Sequence, residues 1–213
     1  MKRRDFFKTM VVGGLVSGTM LQRQAFAGTQ TMPWEWVNKQ GKTTDVAGTP
    51  LQFMPTMKDA NPLVDELKKF PRCPYCGMAR GHEKWRKTRH LIHYEDDSVD
   101  PTCSIHCASL SLALNLDRVP KAIYAADAGS DLEMPPLVEV KNLQYVIDST
   151  KMGTMTRRRK WAFADAAKAK MAAGSTGEPV DFDNALLAAY VDTAEDTIMI
   201  RKRRAEKRRK GKM

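Results

Sequence analysis

Apolar and polar positions alternate through RHLIHYED at residues 89–96, which predicts a strand, and Asp96, Asp97 and Ser98 form the turn that ends it. A second short strand leads into Thr102. Residues 104–116, SIHCASLSLALNL, carry apolar side chains at helical spacing, with Thr102 or Ser104 as the cap. KAIYAADA reads as a strand, and LVEVKNLQYVID as one or two more. From Trp161 the pattern WAFADAAKAKMAA is helical and stops at Gly174, with Trp161 and Phe163 opening a core-facing stripe. Residues 182–209 form a long helix whose last part is too polar to be buried. Residues 28–70 are rich in Thr, Pro, Gln and Lys and show little periodicity, which predicts an irregular arm closing in a short helix near 62–69. No long βαβ alternation, dinucleotide motif or phosphate loop is present. The class is α+β.

The first 27 residues have another purpose. MKRRDFFK is basic, MVVGGLVSGTML is a short apolar run, and QRQAFA ends in small residues, the three parts of an export signal. The apolar run is too short to span a bilayer. RRDFFK resembles the twin-arginine consensus, with Arg3 and Arg4 as the pair, so the twin-arginine translocase is the expected export partner. Cleavage is expected near Ala27, giving a periplasmic chain that is soluble or peripherally membrane-associated. No Cys stands at the end of the signal to carry a lipid.

Charge changes the picture little. The formal net charge is +10, but the signal carries +4 and the terminal IRKRRAEKRRKGKM carries +8, leaving the body near −2. Positive charge confined to the termini of an exported chain argues against a nucleic-acid partner. The tail is expected to be a solvated helix end, with weak contact to a membrane surface or an acidic protein as its other uses.

The chemistry lies in sulfur. Cys73, Cys76, Cys103 and Cys107 are spaced C-x2-C-x26-C-x3-C, two close pairs at a separation typical of metal ligands. CPYC is also the active-site tetrapeptide of glutaredoxin-like oxidoreductases, but ELKKFPR before it is no buried strand and GMARGHEKWRK after it opens poorly as a helix. On a helix starting at residue 104, Cys103, His106 and Cys107 share the first turn, where the helix dipole favours thiolate. Together with the first pair they could close a tetrahedral zinc site or supply soft ligands for copper(I). Thirteen methionines, three of them in the signal, tip the balance toward copper. Met78 follows CPYCG directly, and Met152 and Met155 fall in the polar loop STKMGTMTRRRK, where a thioether needs a reason. His90 and His93 point to opposite faces of one strand and read as surface or packing histidines, and His82 is a weaker candidate. No catalytic triad or carboxylate pair stands out, so a binding protein is expected rather than an enzyme.

Taken together, CPYCGM, RHLIHYEDD, TCSIHCA, KAIYAADA and GTMTRRRKWAF resemble the NosL family, the nitrous-oxide-reductase accessory proteins, over residues 70–190. The resemblance implies two small ββαβ-like units related to part of organomercurial lyase. It also implies an exported copper(I)-binding metallochaperone that delivers copper to a respiratory or other periplasmic metalloenzyme. Cys73, Cys76 and Met78 match the family's CxxCGM, and Met152 and Met155 its Met-containing loop. The chain departs from the family in lacking a lipid-attachment Cys, in its Cys103–His106–Cys107 group, found in one branch only, and in its basic tail. The expected organisation is therefore a signal (1–27), an irregular arm (28–70), a metal-binding domain (71–192) and a basic helical tail (193–213). Two other readings stay open: a structural zinc-binding accessory subunit, and a thiol–disulfide oxidoreductase using CPYC.

Overall fold

The computed structural model describes residues 57–116, 118–175 and 177–211; the expected signal and residues 28–56 of the arm lie outside the described residues. The order is β1 (Met57–Lys58), α1 (Glu66–Lys69), β2 (His90–Tyr94), β3 (Ser98–Thr102), α2 (Ile105–Leu114), β4 (Pro120–Ala126) and β5 (Leu137–Glu139). It continues with β6 (Gln144–Asp148), β7 (Arg159–Phe163), α3 (Ala166–Ala173) and α4 (Phe182–Lys210). Helices are mixed with strands whose ladders are all antiparallel, and α2 carries the chain across β2 from β3 to β4, so the fold is α+β. None of the helices among the described residues is long and apolar enough to cross a membrane.

The strands form a five-stranded sheet, β1-β3-β2-β4-β5, and a two-stranded one, β6-β7. The hairpin β2–β3 pairs His90 with Thr102 and Ile92 with Asp100, turning through Asp97 at φ +60. After α2 the chain returns as β4, antiparallel to β2. The second hairpin, β6–β7, is followed by α3 and then by Val180, which makes one antiparallel bridge to Tyr145 on β6. Both units thus run strand, strand, helix, return beside the first strand. In the second unit the returning strand has shrunk to a single bridge, and α4 covers the space.

All five residues of β2 are buried, because the sheet is covered on both faces. Leu91 packs with Phe70 and Val99 on one side, while Ile92 and Tyr94 meet Ala108 on α2 on the other. His90 and His93 are accordingly packing residues. The His90 ring lies 3.0 Å from the Tyr145 hydroxyl, and the His93 ring 3.1 Å from Asp97 Oδ1. The largest core joins Ile105, Tyr145 and Phe182 through Ala125, Ala162, Ala185 and Ala189, and the small residues on α4 allow it to lie close to α2.

One element differs from the pattern. Trp161 and Phe163 lie on β7, and the helix begins only at Ala166, capped by Asp165, whose carboxylate accepts from the N–H groups of Ala167 (2.7 Å) and Lys168 (3.1 Å). RKWAF alternates with the period of a strand, and its pairing with β6 overrides the helical spacing that Trp161 and Phe163 make with the alanines downstream. Phe163 is buried as expected, whereas Trp161 is half-buried beneath the Arg159 guanidinium, 4.2 Å above its ring. The helix does stop at Gly174, which adopts φ +50.

Two buried groups give the fold opposing pH responses. Burial holds His90 down to about 4, from an ordinary 6.5. Its stabilising contribution is present above about 6.5 and is lost as pH falls through about 4. Burial raises Asp100 to about 6 from 3.8, although Ser111 and Tyr75 donate hydrogen bonds to it. Its contribution is full below about 3.8 and lost as pH rises through about 6. Each shift corresponds to roughly 3 kcal/mol, so the two largely cancel in the intact protein. An Asp100→Asn variant should lose about 3 kcal/mol of stability between pH 6.5 and pH 4 by urea denaturation, with the wild type changing far less. A flat profile in the variant would remove His90 as the source.

Candidate metal centre

The first pair of cysteines is set by a tight knuckle. Arg72 and Ala79 form an antiparallel bridge, the Cys73 N–H donates to Met78 O at 2.9 Å, and the Gly77 N–H donates to Cys73 O at 2.9 Å. Closing this turn requires φ +74 at Gly77, the left-handed region in which glycine carries no penalty. The second pair comes from the β3–α2 junction. Cys103 directly follows β3, Ser104 is extended (φ −163), and Cys107 lies in the first turn of α2.

The four sulfurs all lie within 4.8 Å of one another, a group that could hold a metal ion. Cys76 Sγ is 3.4 Å from Cys103 Sγ, which in turn is 3.7 Å from Cys107 Sγ. A tetrahedral site with metal–sulfur bonds of about 2.3 Å has edges of about 3.8 Å, close to these distances, and all four thiols are free. Cys73, Cys103 and Cys107 are buried, and Cys76 alone is partly exposed. Met78 and Tyr75 pack against the cluster. Contacts with the Cys103 and Cys107 thiols, helped by the Cys76 and Cys103 N–H groups, outweigh burial and pull the Cys73 thiol far below the usual range. Cys107 is pushed up by its contacts with Cys103 and Cys73 and by burial. Cys103 gains from Cys107 but loses more to Cys73 and burial, and it also ends above its ordinary value. A bound ion would displace the protons these thiols retain.

His106 does not join this set. Its Nδ1 lies 3.2 Å from Thr193 Oγ1 on α4, and burial lowers its pKa. Cys103 precedes the helix instead of occupying it, so the expected common face is lost. Cys107 turns toward the knuckle, and His106, one residue or about 100° earlier, turns toward α4. Likewise His82 stacks on Trp85, with ring centroids 4.4 Å apart.

The methionine loop is built by α4. The Arg159 N–H donates to Lys151 O at 2.9 Å, and Gly153 bridges to Thr156. A Cβ on Gly153 would sit 2.5 Å from Arg158 O, so only glycine fits. Buried Asp192 accepts from Thr156 Oγ1 (2.5 Å), Arg158 Nε (2.7 Å) and buried Lys160. Burial alone would raise this carboxyl, but Lys160, Thr156 and Arg158 hold it at about 2. The tip of the loop reaches the centre through Thr154, whose hydroxyl is 3.1 Å from that of Thr88, itself 2.9 Å from Cys103 O. Met155, the next residue, has φ +62 and is 46% exposed, whereas Met152 is 85% exposed. Of the three methionines, Met78 packs on the sulfur cluster, Met155 stands half-open beside Thr154, and Met152 projects into solvent.

Sequence reading missed the groups that hold the two halves together. Arg80 is fully buried; it donates to Glu66 Oε2 (2.7 Å), Phe70 O (2.8 Å), Thr102 O (3.2 Å) and His90 O (3.3 Å). Arg89, also buried, donates to the other Glu66 oxygen at 2.9 Å. Burial opposes the charge on Arg80, while Glu66 and the nearby Cys73 and Cys103 favour it. Nothing local marks these residues, since Glu66 and Arg80 sit in polar stretches that read as surface. Replacing Arg80 with Met should cost about 3–5 kcal/mol, because Glu66 and three carbonyls lose a buried partner. Urea denaturation of the reduced, metal-free protein measures it, and a change below about 1 kcal/mol would rule out the clamp.

No curated protein sequence matches the chain significantly. Residues 64–186 match the NosL family model. That span runs from α1, whose Glu66 anchors the clamp, through the knuckle, both cysteine pairs and the methionine loop to the first turns of α4, more than half of the sequence. The chain belongs to the NosL family.

Proposed function

We propose that the protein is an exported copper(I) carrier that hands its ion to a periplasmic or respiratory metalloenzyme, and that it acts by binding rather than catalysis. One observation carries this reading: four thiols converge within 4.8 Å, three of them buried and Cys76 at the open edge, with the Met78 thioether packed against them. Soft thiolate and thioether donors suit copper(I), and NosL is a copper-binding family. Copper(I) needs only two or three of these sulfurs. An incoming thiolate or thioether from the recipient would bond to the ion at the open edge as its bond to Cys76 breaks, and further recipient donors would replace the remaining carrier sulfurs in turn, with no change of oxidation state. The twin-arginine-like start of the sequence supports export in a folded state.

The near-tetrahedral spacing favours one competing reading, a structural zinc site in an accessory subunit. The oxidoreductase reading has less support, because CPYC lies in a hairpin knuckle between Arg72 and Ala79 and not at a strand-to-helix turn.

Anaerobic competition titrations on the reduced mature protein separate these readings. The carrier should bind one copper(I) far more tightly than zinc. Cys107→Ser should weaken copper binding by at least the roughly 10–100-fold seen when outer support of a ligand is lost. Cys76→Ser should retain more affinity but slow copper transfer to a thiolate acceptor. Preferential zinc retention, with Cys76→Ser and Cys107→Ser equally damaging, would support the structural site instead.

A further inference from the structure

The NosL match ends at residue 186, yet α4 continues to Lys210. Its buried residues are Phe182, Ala185, Ala189 and Asp192. The last ties to the body among the described residues are made by Arg157, to Asp196 (3.1 Å) and Met199 Sδ (3.1 Å). Beyond them RKRRAEKRRK, residues 201–210, carries eight basic groups and one acidic one, and all but Ala205 are exposed. At 1.5 Å per residue this stretch reaches roughly 15 Å past its last tether.

Helix stability does not account for so much charge. Basic groups favour the last turn, where they meet the helix dipole, and only Lys207 to Lys210 lie there. Arg203 with Lys207 and Arg204 with Arg208 are like charges at i, i+4, which destabilise a helix. A countercharge from outside would relieve that repulsion. A second feature accompanies the charge. Leu187 (61% exposed), Val191 (44%) and Ile198 (52%) repeat at i, i+4 and i+11. At 100° per residue they share one solvent-facing stripe, which Ala194 and Ala205 continue. An apolar stripe running into a sleeve of cations fits a surface that is anionic at its head groups and apolar just beneath, and an acidic polypeptide supplies only the first.

We propose that α4 docks on an anionic lipid bilayer, with residues 201–210 among the head groups and the Leu187–Val191–Ile198 stripe at the acyl boundary. The Thr193 contact to His106 ties the same helix to α2, so docking would also fix how the cysteine centre faces the membrane. This proposal stands independently of the metal bound.

Flotation of the full mature chain with vesicles tests it. The protein should float with vesicles of equal parts phosphatidylcholine and phosphatidylglycerol, not with phosphatidylcholine alone, and should be released by salt. Arg203→Gln, Arg204→Gln and Lys207→Gln combined should lower partitioning by about 100-fold, and Ile198→Ser by several-fold. These positions lie outside the buried core, so circular dichroism of the variants should remain native. Failure to bind anionic vesicles at low salt, or binding that neither variant alters, would overturn the proposal. So would equal binding to soluble polyglutamate with no effect of Ile198→Ser, which would assign the helix to an acidic protein partner.

Discussion

A single buried guanidinium ties together the two parts of the chain that carry the four thiols. The knuckle bearing Cys73 and Cys76 is a turn of a few residues with no strand or helix of its own, and the other two thiols arrive from a different part of the chain. Arg80 joins them by donating to the carbonyl at the entry to the knuckle (Phe70), the carbonyl beside Cys103 (Thr102) and the central strand (His90). Glu66 compensates its charge and shares itself with Arg89. A buried charge is expensive unless every donor is matched, so this cluster specifies one arrangement of the two halves. It also places positive charge near Cys73 and Cys103, which favours the ionised form of a sulfur there.

A second buried ion cluster fixes the methionine loop. Asp192 on α4 gathers Thr156, Arg158 and Lys160, which fixes the loop carrying Met155, and Thr154 brings that loop against the carbonyl side of Cys103 through Thr88. Knuckle, β3–α2 junction and methionine loop are therefore three irregular segments, each held by hydrogen bonds to charged groups rather than by apolar packing. The apolar cores lie apart from the sulfur cluster, around Tyr145 and Phe182, around Ala169 and under Leu91. Division of labour of this kind lets the centre vary in its ligands while the two strand–strand–helix units keep their packing.

What could be read from the sequence follows from how local each signal is. β2, β3, α2 and α4 have periodicity within their own segments, and the cysteine pairs state their chemistry through spacing, so these elements were foreseen at close to their observed bounds. β7 was misread because RKWAF is short and flanks an alanine-rich helix, so partner pairing with β6 decides it. His106 was misread because one extended residue, Ser104, takes Cys103 out of the helical phase. Glu66, Arg80 and Arg89 could not be found at all: a polar side chain is buried or exposed according to contacts made by residues distant in sequence.

The central claim is that the two cysteine pairs contribute to one soft-metal centre. X-ray absorption at the copper edge of the reduced, copper(I)-loaded protein tests this most directly. The account predicts a coordination shell of sulfur only, altered by serine at Cys73 on the knuckle and equally by serine at Cys103 across from it. A shell containing histidine nitrogen, or one dependent on a single cysteine pair, would contradict it.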